Sequence, residues 1–221
     1  MSGEKANDLE LILDTGVVAV IRARGSEQLL QVTEAIHKGG VRCIEIAMNT
    51  PDALRIIEEI AIKLEGILIG AGTVLDPETA RAAILAGARF IVSPILNFKV
   101  IEMAKRYGKI AVPGTFTPTE ALQAWEAGAD IVKVFPAARL GPRYLSDLKA
   151  PLPQLRLMPT GGIDEENAAD FVRAGADVIC VGSALIDERA IAERRFGVLT
   201  EKAQRLVAAV QEGRSSRLSA G

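Results

Sequence analysis

Short apolar runs alternate with longer amphipathic stretches along most of this chain. The runs are rich in β-branched residues and almost continuous in hydrophobicity, which is typical of parallel strands that helices cover on both faces. The stretches between the runs follow helical patterns. The runs predict eight strands, at residues 17–23, 43–49, 67–74, 90–94, 110–114, 131–136, 156–162 and 178–185.

The predicted helices carry recognisable start and stop signals. Thr50, Asp76 and Thr117 each precede a proline. That pattern predicts an N-cap followed by proline at the first helical position. At the other end, a glycine between a helix and the next strand marks the end of the helix. This stop signal recurs as an internal repeat at Gly39, Gly87, Gly128 and Gly175.

The strand–helix units predict the fold. Eight of them in a chain of 221 residues favour an α/β fold with one closed (β/α)8 TIM barrel, a single domain over residues 1–213. Residues 3–15 predict an extra N-terminal helix that covers the bottom of the barrel, and residues 187–213 predict a helical, amphipathic ending. The tail 214–221 is expected to be disordered. An open doubly wound sheet is the alternative, but its usual glycine-rich first turn is missing from "VIRARGSE".

Composition and charge narrow the class of partner. The chain is 49% hydrophobic and 24% charged, with a formal net charge of −2 at pH 7. This balance gives no support to nucleic-acid or anionic-membrane binding, although a small anionic substrate stays possible. The N-terminal segment lacks the apolar core of a secretory signal, and no run approaches the roughly 20 apolar residues of a membrane span. We therefore expect a cytoplasmic protein.

Two cysteines and one histidine limit the chemistry further. Cys43 and Cys180 lie within apolar runs, so we expect reduced core residues and not a disulfide. His37 stands at a predicted helix C-terminus. With one histidine, a multi-histidine zinc site lacks ligands, and a Ser-His-Asp triad lacks its base unless His37 itself serves.

Two charged residues stand inside apolar strand runs, where a packed core favours aliphatic side chains. Lys133 lies within "IVKVFP" and by alternation shares one strand face with Ile131 and Phe135. Burial disfavours a charged ammonium, and a neutral amine attacks a carbonyl carbon to form an imine. Glu45, within "CIEIAMN", is suited to the proton transfers that imine chemistry needs. The alternative is a structural ion pair between Lys133 and Glu45.

Two glycine-containing strand ends, "PTGGID" and "VGSAL", follow the seventh and eighth predicted strands. Loops at these places usually bind phosphate in such barrels. Gly161 and Gly162 allow backbone N–H groups to approach an oxyanion, and Ser183 adds a hydroxyl near a helix N-terminus. Further polar residues at predicted strand ends are Arg22, Thr73 and Thr160.

Several segments together resemble the class I 2-keto-3-deoxy-6-phosphogluconate aldolase family, over nearly the whole chain. They are "GGVRCIEIAMNTPDAL", "IGAGTVLDPE", "FIVSP", "VPGTFTPTE", "VKVFPA", "MPTGGI" and "VGSAL". The resemblance implies that Lys133 is the Schiff-base lysine and Glu45 the general acid/base. It also implies a homotrimer, no metal, and no cofactor beyond the covalent imine.

The resemblance implies substrate-binding residues as well. Thr73 and Pro94 would help to line the pyruvyl pocket, with Phe135 on the inward face beside Lys133. The far wall and the phosphate cradle would be formed by Thr160, Gly161, Gly162, Gly182 and Ser183.

One position departs from part of the family. A branch of it carries a carboxylate-binding arginine four residues after the glutamate, where this chain has Asn49. Other branches, including the phosphogalactonate aldolases, carry an asparagine there and an arginine in strand one. Arg22 matches that second arrangement, and its planar fork suits a carboxylate.

The sequence therefore predicts an aldolase that cleaves 2-dehydro-3-deoxy-6-phosphogluconate, a small phosphorylated keto acid, to pyruvate and glyceraldehyde 3-phosphate. The alternatives within this chemistry are the phosphogalactonate isomer and 4-hydroxy-2-oxoglutarate. Outside it, the alternatives are a phosphate-binding barrel of the epimerase or synthase type and a non-catalytic binding protein.

Overall fold

The computed structural model describes residues 3–22 and 26–219, and parallel strands alternate with helices through them. The nine strands of these residues are β1 (Val17–Ile21), β2 (Cys43–Ala47), β3 (Leu68–Gly72), β4 (Phe90–Val92), β5 (Ile110–Val112), β6 (Gly114–Thr115), β7 (Val132–Val134), β8 (Leu157–Pro159) and β9 (Ile179–Val181). Their ten α-helices are α1 (Gly3–Thr15), α2 (Ser26–Lys38), α3 (Ala53–Lys63), α4 (Pro77–Leu85), α5 (Phe98–Arg106), α6 (Pro118–Glu126), α7 (Gly141–Lys149), α8 (Ala168–Arg173), α9 (Glu188–Ala192) and α10 (Gly197–Ser219).

The strands form two parallel sheets. Six of them make a curled sheet in the order β5-β4-β3-β2-β1-β9, and three make a second sheet in the order β6-β7-β8. Backbone contacts bridge the two sheets. Thr160, just after β8, pairs with Cys180 of β9, and the N–H of Asp130, just before β7, donates to the carbonyl of Ala111 in β5 at 3.0 Å. The predicted parallel α/β architecture is confirmed as a curled sheet.

The predicted fifth strand is divided in the structure. It was expected at 110–114 and is observed as β5 and β6, which belong to different sheets and are separated by Pro113. Proline has no N–H to donate and so interrupts a strand ladder. The first strand, expected at 17–23, ends at Ile21, and residue 23 lies outside the described residues.

Alternate residues of the strands face two separate apolar cores. One core lies inside the curled sheets and includes Val18, Leu68, Phe90 and Ile131. The other lies between the sheets and the helices that cover them, and it includes Val132 and Val134. The alternation predicted around Lys133 is therefore confirmed, because its two neighbours in β7 both face outwards.

The predicted helix signals are confirmed at most places. Asp76 caps α4 by accepting a hydrogen bond from the N–H of Thr79 at 2.6 Å, and Thr117 begins α6 with a complete capping box. The prediction for Thr50 is wrong, because α3 begins at Ala53 with Asp52 as its N-cap. The positions that follow Gly87, Gly128 and Gly175 return to strand, and these glycines have φ values of 110°, 92° and 113°.

The two ends of the described chain are helical. α1 places Leu9 and Ile12 in the inner core, so it covers one end of the sheets as predicted. The helical ending forms as α9 and α10. The predicted disordered tail is wrong at residues 214–219, because α10 continues to Ser219; residues 220 and 221 lie outside the described residues.

Two further findings concern the helices and the cysteines. None of the helices in residues 3–22 and 26–219 has both the length and the apolar character that a membrane crossing requires.

Cys43 and Cys180 are buried and free, as the sequence predicts. Burial raises the pKa of the Cys43 thiol to about 11, so this thiol is neutral.

Candidate active site

Lys133 lies at the centre of β7 and faces the inner core. It is 5% exposed, and Gly114 and Met158 are its neighbours on the adjoining strands. Its carbonyl accepts a hydrogen bond from the Thr115 hydroxyl at 3.0 Å, which anchors β7 to β6. Its Nζ lies 5.1 Å from the centre of the Phe135 ring. The local fold thus holds the amine at the carboxyl end of the strand, beside an aromatic face.

Glu45 lies at the centre of β2, between Val20 of β1 and Gly70 of β3. It is 1% exposed, and its Oε2 atom is buried without a hydrogen-bond partner. Burial raises the pKa of Glu45, while the charges of Lys133 and Arg22 act in the opposite direction and only reduce the shift. A carboxyl group of this kind exchanges protons nearer to neutral pH than an exposed one does.

The structure brings Lys133 and Glu45 into one electrostatic environment without pairing them. The Lys133 charge partly offsets the raised pKa of Glu45, yet neither a hydrogen bond nor an ion pair joins these two described side chains. The alternative prediction of a structural Lys133–Glu45 ion pair is therefore wrong. Both side chains are therefore buried on the inward face of their strands without a direct contact between their charged groups.

Cys180 of β9 lies beside the same two residues. Burial, together with the nearby Glu45 charge, raises the pKa of the Cys180 thiol, and Thr160 forms a side-chain hydrogen bond with it. The thiol is therefore neutral, as burial within an apolar strand run leads one to expect. Thr160, which is 6% exposed, is brought to the same side of the sheets.

Arg22 lies where β1 ends and lines two cavities. The larger, of about 710 Å³, is also lined by Asn49 and Thr50, and the smaller, of about 300 Å³, by Gly182 and Ser183. Arg22, the predicted carboxylate-binding residue, thus shares one cavity with Asn49 and the other with Ser183 of the predicted phosphate site. Asn49 is exposed, like Arg22, so both side chains are accessible to a ligand.

Thr73 and Pro94 lie at the ends of β3 and β4, and both are half-buried. Thr73 has a φ of 59°, which is unusual for a β-branched residue and marks local strain. Pro94 packs so closely on Gly114, the neighbour of Lys133, that a β-carbon at Gly114 would collide with the Pro94 carbonyl group. Strain and tight packing of this kind cluster at functional sites.

The loop after β8 turns through two glycines in the left-handed region, with φ 89° at Gly161 and 77° at Gly162. The Phe135 ring lies against Gly161, where a β-carbon would be 3.2 Å from it. At Gly162 a β-carbon would collide with Ala138. Both positions therefore require glycine, as a loop that brings its backbone close to a ligand does. Their phosphate role stays a prediction.

Several residues that line the cavities were not predicted from the sequence as site residues. Gln28, Thr50 and Glu188 line the larger one, and the Thr50 hydroxyl is buried without a hydrogen-bond partner. Gln28 and Glu188 lie in helical stretches where a polar residue is ordinary, so no sequence signal distinguished them. Among the described residues, no group of three or more His, Cys, Asp or Glu side chains is placed to hold a metal ion. The expected absence of a metal stays a prediction.

Comparisons with known proteins agree on one family. The model of the family "KDPG and KHG aldolase" matches residues 10–201. A probable 2-dehydro-3-deoxy-6-phosphogalactonate aldolase of Rhizobium meliloti (strain 1021) is 39% identical over 176 residues, 78% of this chain and 82% of the relative. A 2-dehydro-3-deoxy-phosphogluconate aldolase of Treponema pallidum (strain Nichols) is 35% identical over 189 residues, 85% of this chain and 90% of the relative.

One similar solved structure contains a covalent reaction intermediate. The KDPG aldolase from Legionella pneumophila, with pyruvate captured at low pH as a covalent carbinolamine intermediate, superposes with a TM-score of 0.83. It is 27% identical, and the match covers 90% of this chain and 97% of that one. The family model and both sequence relatives extend over most of the chain. The chain therefore belongs to the KDPG and KHG aldolase family and is an aldolase, a lyase.

Proposed function

We propose that this protein is a class I aldolase that cleaves 2-dehydro-3-deoxy-6-phosphogluconate to pyruvate and glyceraldehyde 3-phosphate. The observation that carries the proposal is the position of Lys133, buried on the inward face of β7 and not paired with Glu45 among the described contacts. A buried amine without a counter-ion is suited to attack a carbonyl group. The covalent pyruvate intermediate of the L. pneumophila relative supports the same chemistry.

The proposed reaction begins when the Lys133 amine attacks the C2 carbonyl carbon, and loss of water gives an iminium ion. Glu45 accepts the proton of the C4 hydroxyl as the C3–C4 bond breaks. The electrons of that bond move towards the iminium nitrogen, which leaves an enamine and releases glyceraldehyde 3-phosphate. Protonation at C3 and hydrolysis then release pyruvate and regenerate the amine. A covalent imine takes the place of any cofactor or metal in this scheme.

The substrate's two anionic groups have separate proposed binding sites. Arg22 holds the carboxylate, because it lies within electrostatic range of Glu45 and lines the larger cavity with Asn49. The phosphate binds at the glycine loop after β8 and at Ser183, which lines the smaller cavity. Thr73, Pro94 and Phe135 line the pyruvyl pocket between these two ends.

A second substrate has a specific observation in its favour. Arg22 and Asn49 match the arrangement of phosphogalactonate aldolases, and the R. meliloti relative carries that name at 39% identity. The two substrates differ in stereochemistry, and the same imine chemistry serves both. Pyruvate release should therefore be measured with both phosphorylated sugar acids and with 4-hydroxy-2-oxoglutarate. The phosphogluconate proposal requires the highest kcat/KM for its own substrate, and a higher value for the galactonate isomer would replace it.

The decisive experiment for the chemistry is reductive trapping. The protein is incubated with pyruvate and borohydride, and the modified peptide is identified by mass spectrometry. The proposal expects a reduced pyruvyl adduct on Lys133. An unmodified protein that still cleaves substrate would exclude the imine mechanism, and so would an adduct on another lysine.

We also propose that the two sheets close into a barrel, that the protein forms a homotrimer and that it is cytoplasmic. The backbone contacts of Thr160 with Cys180 and of Asp130 with Ala111 support a barrel that closes around the inner core. A homotrimer follows from the family resemblance, and light scattering after size-exclusion chromatography tests it. A cytoplasmic location is proposed from the sequence, and fractionation of cells that express the protein tests it.

A further inference from the structure

The inward face of β3 is nearly without side chains. The inward-facing positions of β3 are Leu68, Gly70 and Gly72. Of these three residues, Leu68 alone has a side chain. Neighbouring strands fill the space that the glycines leave. A β-carbon on Gly70 would lie 2.5 Å from the Phe90 ring, so that ring occupies the place beside it.

Gly72 leaves its space to Glu45. A β-carbon on Gly72 would lie 2.5 Å from Oε1 and 2.8 Å from the carboxyl carbon of Glu45. In the sheet register Glu45 pairs with Gly70, whereas Gly72 pairs with Ala47. The Glu45 side chain therefore extends two residues along β3, towards the carboxyl ends of the strands.

Gly72 is required because the Glu45 side chain fills the space that a β-carbon would need. Positive φ angles make glycine necessary elsewhere in the chain, as at Gly161, but Gly72 is not among those residues. An alanine therefore meets no backbone strain there, and the atoms nearest to its methyl group belong to the Glu45 side chain. Oε2 of Glu45 has no hydrogen-bond partner, and Oε1 lies in the space that a β-carbon on Gly72 would occupy, so the glycine leaves room for the carboxyl group.

We propose that Gly72 is a positioning residue, whose missing side chain allows the Glu45 carboxyl group to lie where it exchanges protons with the substrate. This inference rests on the proposed function of Glu45 as the acid–base group. A methyl group at position 72 displaces the carboxyl group, while Lys133 on β7 keeps its place. Proton transfer is therefore impaired, while the amine that forms the imine is retained.

The experiment compares two readouts in the Gly72→Ala variant. Exchange of the pyruvate methyl protons with deuterated water, followed by NMR, reports the base, and borohydride trapping reports the imine. We expect exchange to slow by roughly 10²-fold, since a displacement of about 1 Å of a catalytic group has effects of that size. The trapping yield should stay at the wild-type level. Gly197→Ala is the matched control, because a β-carbon there has nothing within 4 Å.

A stability cycle tests the contact itself, even if the single variant folds poorly. Gly72→Ala should lower the urea midpoint in the wild-type background. In the Glu45→Ala background, where the carboxyl group is gone, the same substitution should leave the midpoint unchanged or raise it. An equal loss in both backgrounds would overturn the inference, because the methyl group would then collide with something other than Glu45.

The outcomes separate this inference from the proposed function. Wild-type exchange in a folded Gly72→Ala protein would overturn the role of Gly72 and leave the imine mechanism standing. Equal loss of trapping and exchange would also overturn it, since the substitution would then disturb the whole site. A wild-type protein that neither traps pyruvate nor exchanges its protons would refute the proposed function, and the inference with it.

Discussion

At the scale of single residues, Lys133 and Glu45 place two ionisable groups within apolar strands of the buried interior. They are 5% and 1% exposed, and no ion pair joins them within the described structure. Removing a charge from water is unfavourable unless a partner compensates it. Apolar side chains of similar volume at these positions would therefore favour folding. Their presence is explained by chemistry, and their substitution should separate chemistry from stability.

Substitution of Lys133 by methionine should abolish reductive trapping and cleavage without lowering the free energy of unfolding, because it removes a buried group with no ion-pair partner. Lys5→Met is the matched control. Lys5 is also buried, but it forms a 2.9 Å ion pair with Asp130. Its loss leaves a buried carboxylate unpaired, so Lys5→Met should trap pyruvate normally and lose stability, by up to about 3–5 kcal/mol. Urea denaturation and mass spectrometry measure both effects, and cleavage by Lys133→Met at a comparable rate would refute the imine.

The pH dependence of stability should reveal Glu45. Because burial raises its pKa above the ordinary 4.5, the folded protein keeps this proton at pH values where the unfolded chain has lost it. Stability therefore falls as the pH rises from about 4.5 through the raised pKa. Glu45→Gln has no carboxyl group to ionise, so its stability should not fall in this way. The free energy of unfolding of the variant, relative to that of wild type, should therefore increase as the pH rises from about 4.5 through the raised pKa. Urea denaturation over a pH series measures it, and a constant difference would contradict the raised pKa.

At the scale of elements, the sequence predicted correctly those helix starts that depend only on interactions between neighbouring residues. Asp76 and Thr117 were recognisable as N-caps because capping depends on residues within one helical turn. Thr50 carried the same Thr-Pro signal, but the chain there makes a tight turn, in which the Thr50 N–H donates to the Ala47 carbonyl at 2.9 Å. Pro113, which interrupts the fifth strand, is visible in the sequence, but the pairing of the two resulting strands with different neighbours is not.

The capping box of α6 gives a prediction at this scale. Thr117 accepts a hydrogen bond from the Glu120 N–H, and the Glu120 carboxylate accepts from the N–H of Thr117 at 2.8 Å. Thr117→Ala should reduce the free energy of unfolding by about 1 kcal/mol, the usual value of such a cap. Thr50→Ala, at a position that resembles a cap in sequence alone, should lose less, since its hydroxyl has no partner. Urea denaturation compares the two, and equal losses would contradict a special role for the box.

The candidate site shows the same limit of sequence-based prediction. Lys133 and Glu45 could be identified because a charge within an apolar run is visible in the sequence. The role proposed for Gly72 could not, because it depends on the register of β2 with β3 and on the direction of one side chain. The cavity lining at Gln28 and Glu188 depends likewise on how separate elements pack together.

At the scale of the whole molecule, the two ends of the curled sheets differ in composition. The end covered by α1 is closed by apolar contacts of Leu9 and Ile12 and by ion pairs such as that of Arg89 with Asp8, at 2.7 Å. The opposite end, where the strands finish, holds the cavities around Arg22. In (β/α)8 barrels, the closed form that we propose for these curled sheets, the first end serves stability and the second serves catalysis.

Substitution of Ile12 by alanine should test this division of the molecule. Ile12 is 1% exposed and contacts the inner core from α1, so its truncation leaves a cavity and should reduce the free energy of unfolding by about 2–5 kcal/mol. Its neighbour Leu11 is only partly buried, so Leu11→Ala should lose less. Because α1 lies at the end remote from the carboxyl ends of the strands, kcat and KM of folded Ile12→Ala should match those of wild type. Urea denaturation and pyruvate release under folding conditions measure the two properties. A large fall in kcat at wild-type stability would mean that the covered end takes part in catalysis, against the proposed division.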